Sequence, residues 1–100
     1  MNRNTEGMNN QNLLEICEII SKLNSAEDVK ILLNELLTES ELSDVIQRWN
    51  ILKMLIKKES QRNISKVLTV SLCKVTRGSK ILKNDKSMIK KILIDERWRK

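Results

Sequence analysis

One hundred residues suit a single helical domain, but a chain this short buries only a limited fraction of its surface alone. Without proline, and with glycine only at Gly7 and Gly78, its abundant Leu, Ile, Lys and Glu indicate an all-α protein with an aliphatic core, since Phe and Tyr are absent. The absence of histidine, with only the distant thiols Cys17 and Cys73, excludes a metal-ligand cluster, and the net charge of +6 excludes an acidic protein.

That charge is distributed unevenly. Residues 1–44 hold three basic and nine acidic groups, a balance of −6, whereas residues 45–100 hold 16 basic and 4 acidic groups, a balance of +12. The second half is therefore suited to a polyanionic partner, and nucleic acid is the first candidate. No glycine-rich phosphate loop and no nucleophile beside a base is present, so the chain is not expected to be an enzyme. With no signal peptide, no apolar run of spanning length and thiols of reduced type, a cytoplasmic protein with no membrane partner is expected.

In chain order, residues 1–12 are Asn-rich, polar and aperiodic and read as a disordered N-terminal arm; residues 13–100 are expected to form one helical domain, assigned to DNA binding and dimerisation on the grounds that follow. Leu13 to Leu23 has apolar residues at 13, 14, 16, 17, 19, 20 and 23, more than one stripe holds, so two faces call for burial. Ser25-Ala26-Glu27-Asp28 resembles a capping box opening a helix with the stripe Val29, Leu32, Leu33, Leu36 and Leu37. Thr38-Glu39-Ser40-Glu41 opens a third, with the broad stripe Leu42, Val45, Ile46, Trp49, Leu52, Leu55 and Ile56, and with Ile51 and Met54 adding apolar surface away from it. A chain of this size does not cover all these faces, which argues for an interlocked homodimer.

Residues 60–83 read as helix, turn, helix. Ile64, Val67 and Leu68 form the inward stripe of the first helix; Leu72, Val75, Ser79 and Leu82 form that of the second, which Ser71 caps. Small Ser65 sits where the two helices press together. Thr69 falls at the turn position that usually holds glycine, and a β-branched residue there is strained in the left-handed region. Cys73, Thr76, Arg77 and Lys80, spaced i, i+3, i+4 and i+7, make an outward face suited to the DNA major groove. Asn84-Asp85 is expected to cap a last helix carrying Met88, Ile89, Ile92, Leu93 and Trp98, with Lys90, Lys91, Arg97, Arg99 and Lys100 outside. A basic amphipathic helix can lie on a membrane, but this one is read as sealing the core.

Ser60-Gln61-Arg62, a helix, then Val75-Thr76-Arg77-Gly78-Ser79 and Leu82-Lys83 resemble the signature of the tryptophan repressor family. Leu36-Leu37-Thr38 and Arg48 fall in the family's order, so the resemblance covers about residues 30–84. It implies an all-α, six-helix fold with a helix-turn-helix, an intertwined homodimer, and a repressor of tryptophan metabolism genes that binds double-stranded operator DNA. No cofactor is implied beyond L-tryptophan as corepressor. The alternative is a constitutive helix-turn-helix DNA-binding protein of the same family without a small-molecule ligand.

The DNA-contacting set is Gln61, Arg62, Ser65, Leu72, Cys73, Lys74, Thr76, Lys80 and Lys83, with Arg62 the residue best placed to read a guanine edge and Lys83 a phosphate contact. For the ligand, Arg48 and Arg77 offer guanidinium forks for a carboxylate and flat cations for an indole face, and Gly78 leaves room that a Cβ would occupy. By resemblance, the carbonyls of Leu37 and Thr38 take the ligand's amino group. An ion pair with Asp44 at i−4 is the alternative use of Arg48, and a plain phosphate contact that of Arg77. Three departures from the family stand out: the turn before Ser60 is shorter by about one residue and lacks glycine, the start of the second helix is bulkier (Leu72, Cys73, Lys74), and Ile81 replaces a Ser of the tryptophan-binding member.

Overall fold

The computed structural model describes residues 3–95, with side chains from Glu6 onward; Arg97, Trp98, Arg99 and Lys100 lie outside the described residues. Among these residues the structure is helical throughout: α1 (Arg3–Lys22), α2 (Ala26–Leu36), α3 (Glu39–Ile56), α4 (Gln61–Leu68), α5 (Leu72–Lys83) and α6 (Met88–Ile94). The chain divides between Glu39 and Ser40 into two compact units.

The first unit holds α1 and α2. Residues 3–12, expected as a disordered arm, are helical and belong to α1; no proline interrupts the chain there, so helix extends outward from the apolar stretch after Asn12. Within the single chain neither of the two faces of Leu13–Leu23 is fully covered. Ile16, Ile20 and Leu23 are half-buried, while Leu13, Leu14 and Ile19 stay exposed. In α2 the Ser25 cap forms as expected, its hydroxyl accepting the Asp28 N–H at 3.1 Å, which satisfies one of the open amides of the first turn. Val29, Leu32, Leu33 and Leu37 are half-buried, Leu36 is exposed, and no residue of α2 is fully buried.

The second unit holds the core. Ile51, Ile64, Val70 and Val75 form its centre, with Met54, Leu55 and Leu68 packed against them; Leu52 and Leu93 are also buried. The buried side of α3 therefore lies toward its C-terminal half. Ile51, expected away from the main stripe, is 2% exposed, whereas Val45 and Ile46, expected within it, are 46% and 53% exposed. The cause is that α4, α5 and α6 supply packing partners for only part of the long α3 helix. On α4, Ile64 is buried and Leu68 half-buried, but Val67 is 60% exposed: an eight-residue helix packed on one side covers fewer positions than its periodicity allows.

Two tight connections set the path of the chain in this unit. After α3, Lys58 adopts φ 66° and the amides of Lys58 and Glu59 bond back to the carbonyls of Leu55 and Met54, at 2.9 and 3.1 Å. This is the Schellman closure of a helix, with lysine where glycine is usual. After α4, Thr69 takes φ 55° and ψ 51°, the left-handed conformation expected at that position. Ser65 holds this turn. Its carbonyl accepts the N–H groups of Thr69 and Val70, and its hydroxyl donates to the Val70 carbonyl, so that buried Val70 is tied back onto α4. The hydroxyls of Ser60 and Ser71 cap α4 and α5 by accepting the N–H groups of Asn63 (3.1 Å) and Lys74 (3.3 Å). The cap of α6 is Ser87, not the expected Asn84-Asp85: Ser87 Oγ accepts the Lys90 N–H at 3.2 Å. Asn84 instead ends α5 and its side chain accepts the Lys86 N–H at 2.9 Å, a local turn that moves the helix start downstream. In α6 only Leu93 is buried; Ile89 is half-buried, and Met88 and Ile92 are exposed.

The left-handed Thr69 is a store of strain that a substitution releases. A β-branched residue there costs about 1–2 kcal/mol relative to glycine, while glycine's extra freedom in the unfolded chain returns about 0.4–1 kcal/mol of that. Thr69→Gly is expected to stabilise the fold by roughly 0.5–1 kcal/mol, a rise of about 2–8 °C in the thermal midpoint. A midpoint lowered by this substitution would contradict the assigned turn.

Candidate functional site

The outer side of α5 is an open concavity of about 360 Å³ lined by Leu72, Cys73, Thr76, Arg77 and Lys80. Four of these form the outward stripe read from the spacing, and Leu72, counted there among inward residues as well, is 48% exposed beside them. The helix carries Lys74, Arg77, Lys80 and Lys83 and no acidic residue, so its surface is uniformly positive. Gln61, in the first turn of α4, accepts the Thr76 hydroxyl at 3.1 Å, which pins the start of one helix to the exposed side of the other. Arg62 is exposed and makes no ion pair among the described residues. Lys83 ends α5, exposed. Ser65, assigned above to DNA contact, is half-buried with its hydroxyl engaged inside the turn. It holds the two helices together, as its size suggests, and its hydroxyl is occupied.

Behind α5 lies a second cavity, of about 220 Å³, lined by Arg48, Ile51 and Leu52 of α3, Lys74, Arg77, Gly78 and Ile81 of α5, and Ile89 of α6. It adjoins a smaller polar concavity of about 120 Å³ whose walls are Asp44, Gln47, Arg48, Lys74 and Arg77. Two facing stripes generate the pair: 44, 47, 48, 51, 52 along α3 and 74, 77, 78, 81 along α5, both at three- and four-residue steps. Arg48 and Arg77, remote in sequence, thus share one pocket with an apolar floor and a cationic rim. The Asp44–Arg48 ion pair held open as an alternative is not formed. Gly78 lines this pocket as expected of a residue beside Arg77, and it has a second part. A Cβ there would lie 3.1 Å from Ile51 Cγ2 and 3.2 Å from Leu55 Cδ1, so the space is taken by α3 itself and the glycine permits α5 to approach it. Ile81 is half-buried and adds an apolar wall.

Lys74 departs from the groove-facing position read from the sequence. It does not line the outer concavity; its Nζ donates to Gln47 Oε1 of α3 at 3.1 Å. Sequence reasoning missed Lys74, Gln47, Asp44 and Ile89 as pocket residues. The first was legible, because 74 stands at i−3 from Arg77 and i−4 from Gly78; Ile89 was not, because only the α5–α6 turn brings it there. Leu37 and Thr38 belong to the first unit. Leu37 ends α2 in an extended conformation, its N–H donating to the Leu33 carbonyl at 2.9 Å, and Thr38 directly precedes α3. Among the described residues no cluster of His, Cys, Asp or Glu could hold a metal ion, and no helix is long and apolar enough to cross a membrane. Cys17 and Cys73 are free thiols.

Comparison with known proteins agrees with this architecture. The family model described as Trp repressor protein matches residues 11–97. A Trp operon repressor homolog of Xylella fastidiosa is 37% identical over 71 residues, covering 70% of this chain and 77% of the relative. One of Vibrio parahaemolyticus is 39% identical over 71 residues, 70% and 69% of the two chains. One of Chlamydia trachomatis is 32% identical over 95 residues, covering 94% of this chain and 98% of its own. No solved structure gives a significant match. With the match running through α4, α5 and the arginine pocket between α3 and α5, the chain belongs to the Trp repressor family.

Proposed function

We propose that this protein is a transcriptional repressor that binds operator DNA through α4 and α5 as a homodimer, and that L-tryptophan bound between Arg48 and Arg77 strengthens that binding. The observation that carries the reading is the shared position of Arg77 and α5: one helix presents its outer face to the concavity lined by Cys73, Thr76 and Lys80, and its inner face to the pocket lined by Arg48. A ligand wedged behind such a helix alters its tilt, and the tilt governs how the outer face enters a major groove, a docking mode for which the Trp repressor is itself a type example. The apolar floor of Ile51, Leu52 and Ile81 suits an aromatic body, and the guanidinium groups at the rim suit a carboxylate. A dimer is supported by the apolar side chains left open on α1, α2 and the first half of α3, among them Leu13, Leu14, Ile19, Val45 and Ile46.

A constitutive DNA-binding protein is the second reading, favoured by one contact: the Lys74–Gln47 hydrogen bond already ties α5 to α3 without a ligand. The two part in a binding titration on duplex DNA selected from a random pool. For the ligand-gated repressor, L-tryptophan tightens binding by about 1–3 kcal/mol, and DNA tightens tryptophan binding equally. DNA affinity unmoved by saturating tryptophan assigns the constitutive role.

Variants divide the work of the two faces. Arg48→Ala is expected to remove the tryptophan response and leave the weak ligand-free DNA binding intact, whereas Arg77→Ala damages both. Arg62→Ala should cost about 1–3 kcal/mol on the selected duplex and much less on random DNA, because base contacts carry sequence preference and phosphate contacts do not; equal losses on both would remove Arg62 from base reading. Sedimentation at micromolar concentration is expected to give twice the chain mass, and a stable monomer there would contradict the dimer.

A further inference from the structure

We propose that Lys74 is a third head-group contact of the pocket between α3 and α5, so that the site selects ligands bearing a carboxylate over the corresponding amines; the inference rests on the reading of this pocket as an indole ligand site. Lys74 lines both the apolar cavity and the polar concavity at its rim, and it is absent from the walls of the outer face of α5. Its ammonium is held toward α3 by Gln47 Oε1 at 3.1 Å. The amide is a neutral acceptor. An anion reaching the rim is a stronger partner for the ammonium than an amide carbonyl, since the attraction between two opposite full charges adds to the hydrogen bond that the amide already makes.

The charges around the rim point the same way. Arg48, Lys74 and Arg77 face one another across the polar concavity with Asp44 as the one acidic group among its walls, and none of the four is tied up in an ion pair. This leaves an excess of two positive charges in a partly enclosed space, where their mutual repulsion is relieved when an anion enters. A ligand with an ammonium and no carboxylate adds to that repulsion. In the resting pocket Lys74 leans on Gln47; when a carboxylate arrives, the ammonium moves from the amide to the anion, over a short path because Lys74 and Gln47 line the concavity it enters.

Calorimetry without DNA separates this role from any contact Lys74 makes with phosphate. The ligands are L-tryptophan, indole-3-propionate and tryptamine, and the proteins are the parent, Lys74→Met and Lys74→Arg. Lys74→Met is expected to weaken L-tryptophan and indole-3-propionate by about fivefold and to leave tryptamine equal or tighter. Lys74→Arg restores the carboxylate ligands, and the difference between parent and Lys74→Met shrinks as salt rises. Should Lys74→Met bind both acids as tightly as the parent, or lose tryptamine in equal measure, Lys74 is no head-group contact, and the indole pocket stands without it. If the parent itself binds none of the three compounds, the pocket reading falls and this proposal falls with it.

Discussion

The close approach of α5 to α3 at Gly78 is the contact on which the second unit depends. A methyl group there would press on Ile51 and Leu55 at 3.1 and 3.2 Å, tighter than ordinary van der Waals contact. Because that methyl is missing, α5 approaches α3 closely at this point, Val75 reaches the core beside Ile51 and Ile64, and Arg77 lines the pocket between the two helices. Glycine is a poor helix residue, about 0.8–1.0 kcal/mol worse than alanine. Its presence mid-helix is offset by the packing it allows. The pocket and the outer face are then two consequences of one helix position, the first beneath α5 and the second on top of it.

The turns that aim α4 and α5 achieve their geometry without glycine. Lys58 and Thr69 both occupy the left-handed region, and each is held by backbone hydrogen bonds that leave little alternative. At Thr69 the constraint is denser, since Ser65 contributes carbonyl and hydroxyl to the same few atoms and Val70 is anchored in the core. Strain of this kind persists only where the surroundings over-determine the backbone. It explains how the turn between α4 and α5 keeps a β-branched residue in the left-handed region.

Charge and apolar surface are segregated along the chain. The acidic first half holds helices whose apolar faces are largely uncovered, and the basic second half holds the compact core and the positive α5. Within the second half the same sorting recurs on the scale of one helix. Cations line both sides of α5, but the apolar residues Val75, Leu82 and the gap at Gly78 lie on its packed side.

The sequence by itself determined what depends on near neighbours. Helical content follows from composition, and the serine caps at Ser25, Ser60 and Ser71 follow from a hydroxyl a few atoms from open amides. The strained turn at Thr69, the outward stripe of Cys73, Thr76 and Lys80, and the shared cavity of Arg48 and Arg77 were legible as well, the last with the help of the family's motif. Only the tertiary structure decided which of several apolar faces is covered: Ile51 rather than Ile46 on α3, Ile64 rather than Val67 on α4. It also decided that Lys74 turns to Gln47 rather than to the outer face of α5, that Ser87 caps the last helix, and that a Cβ at Gly78 would meet α3. Periodicity and capping are properties of one segment, whereas burial and the partner of a long side chain belong to pairs of segments, and a residue on the flank of a helix takes whichever neighbour the packing brings within reach.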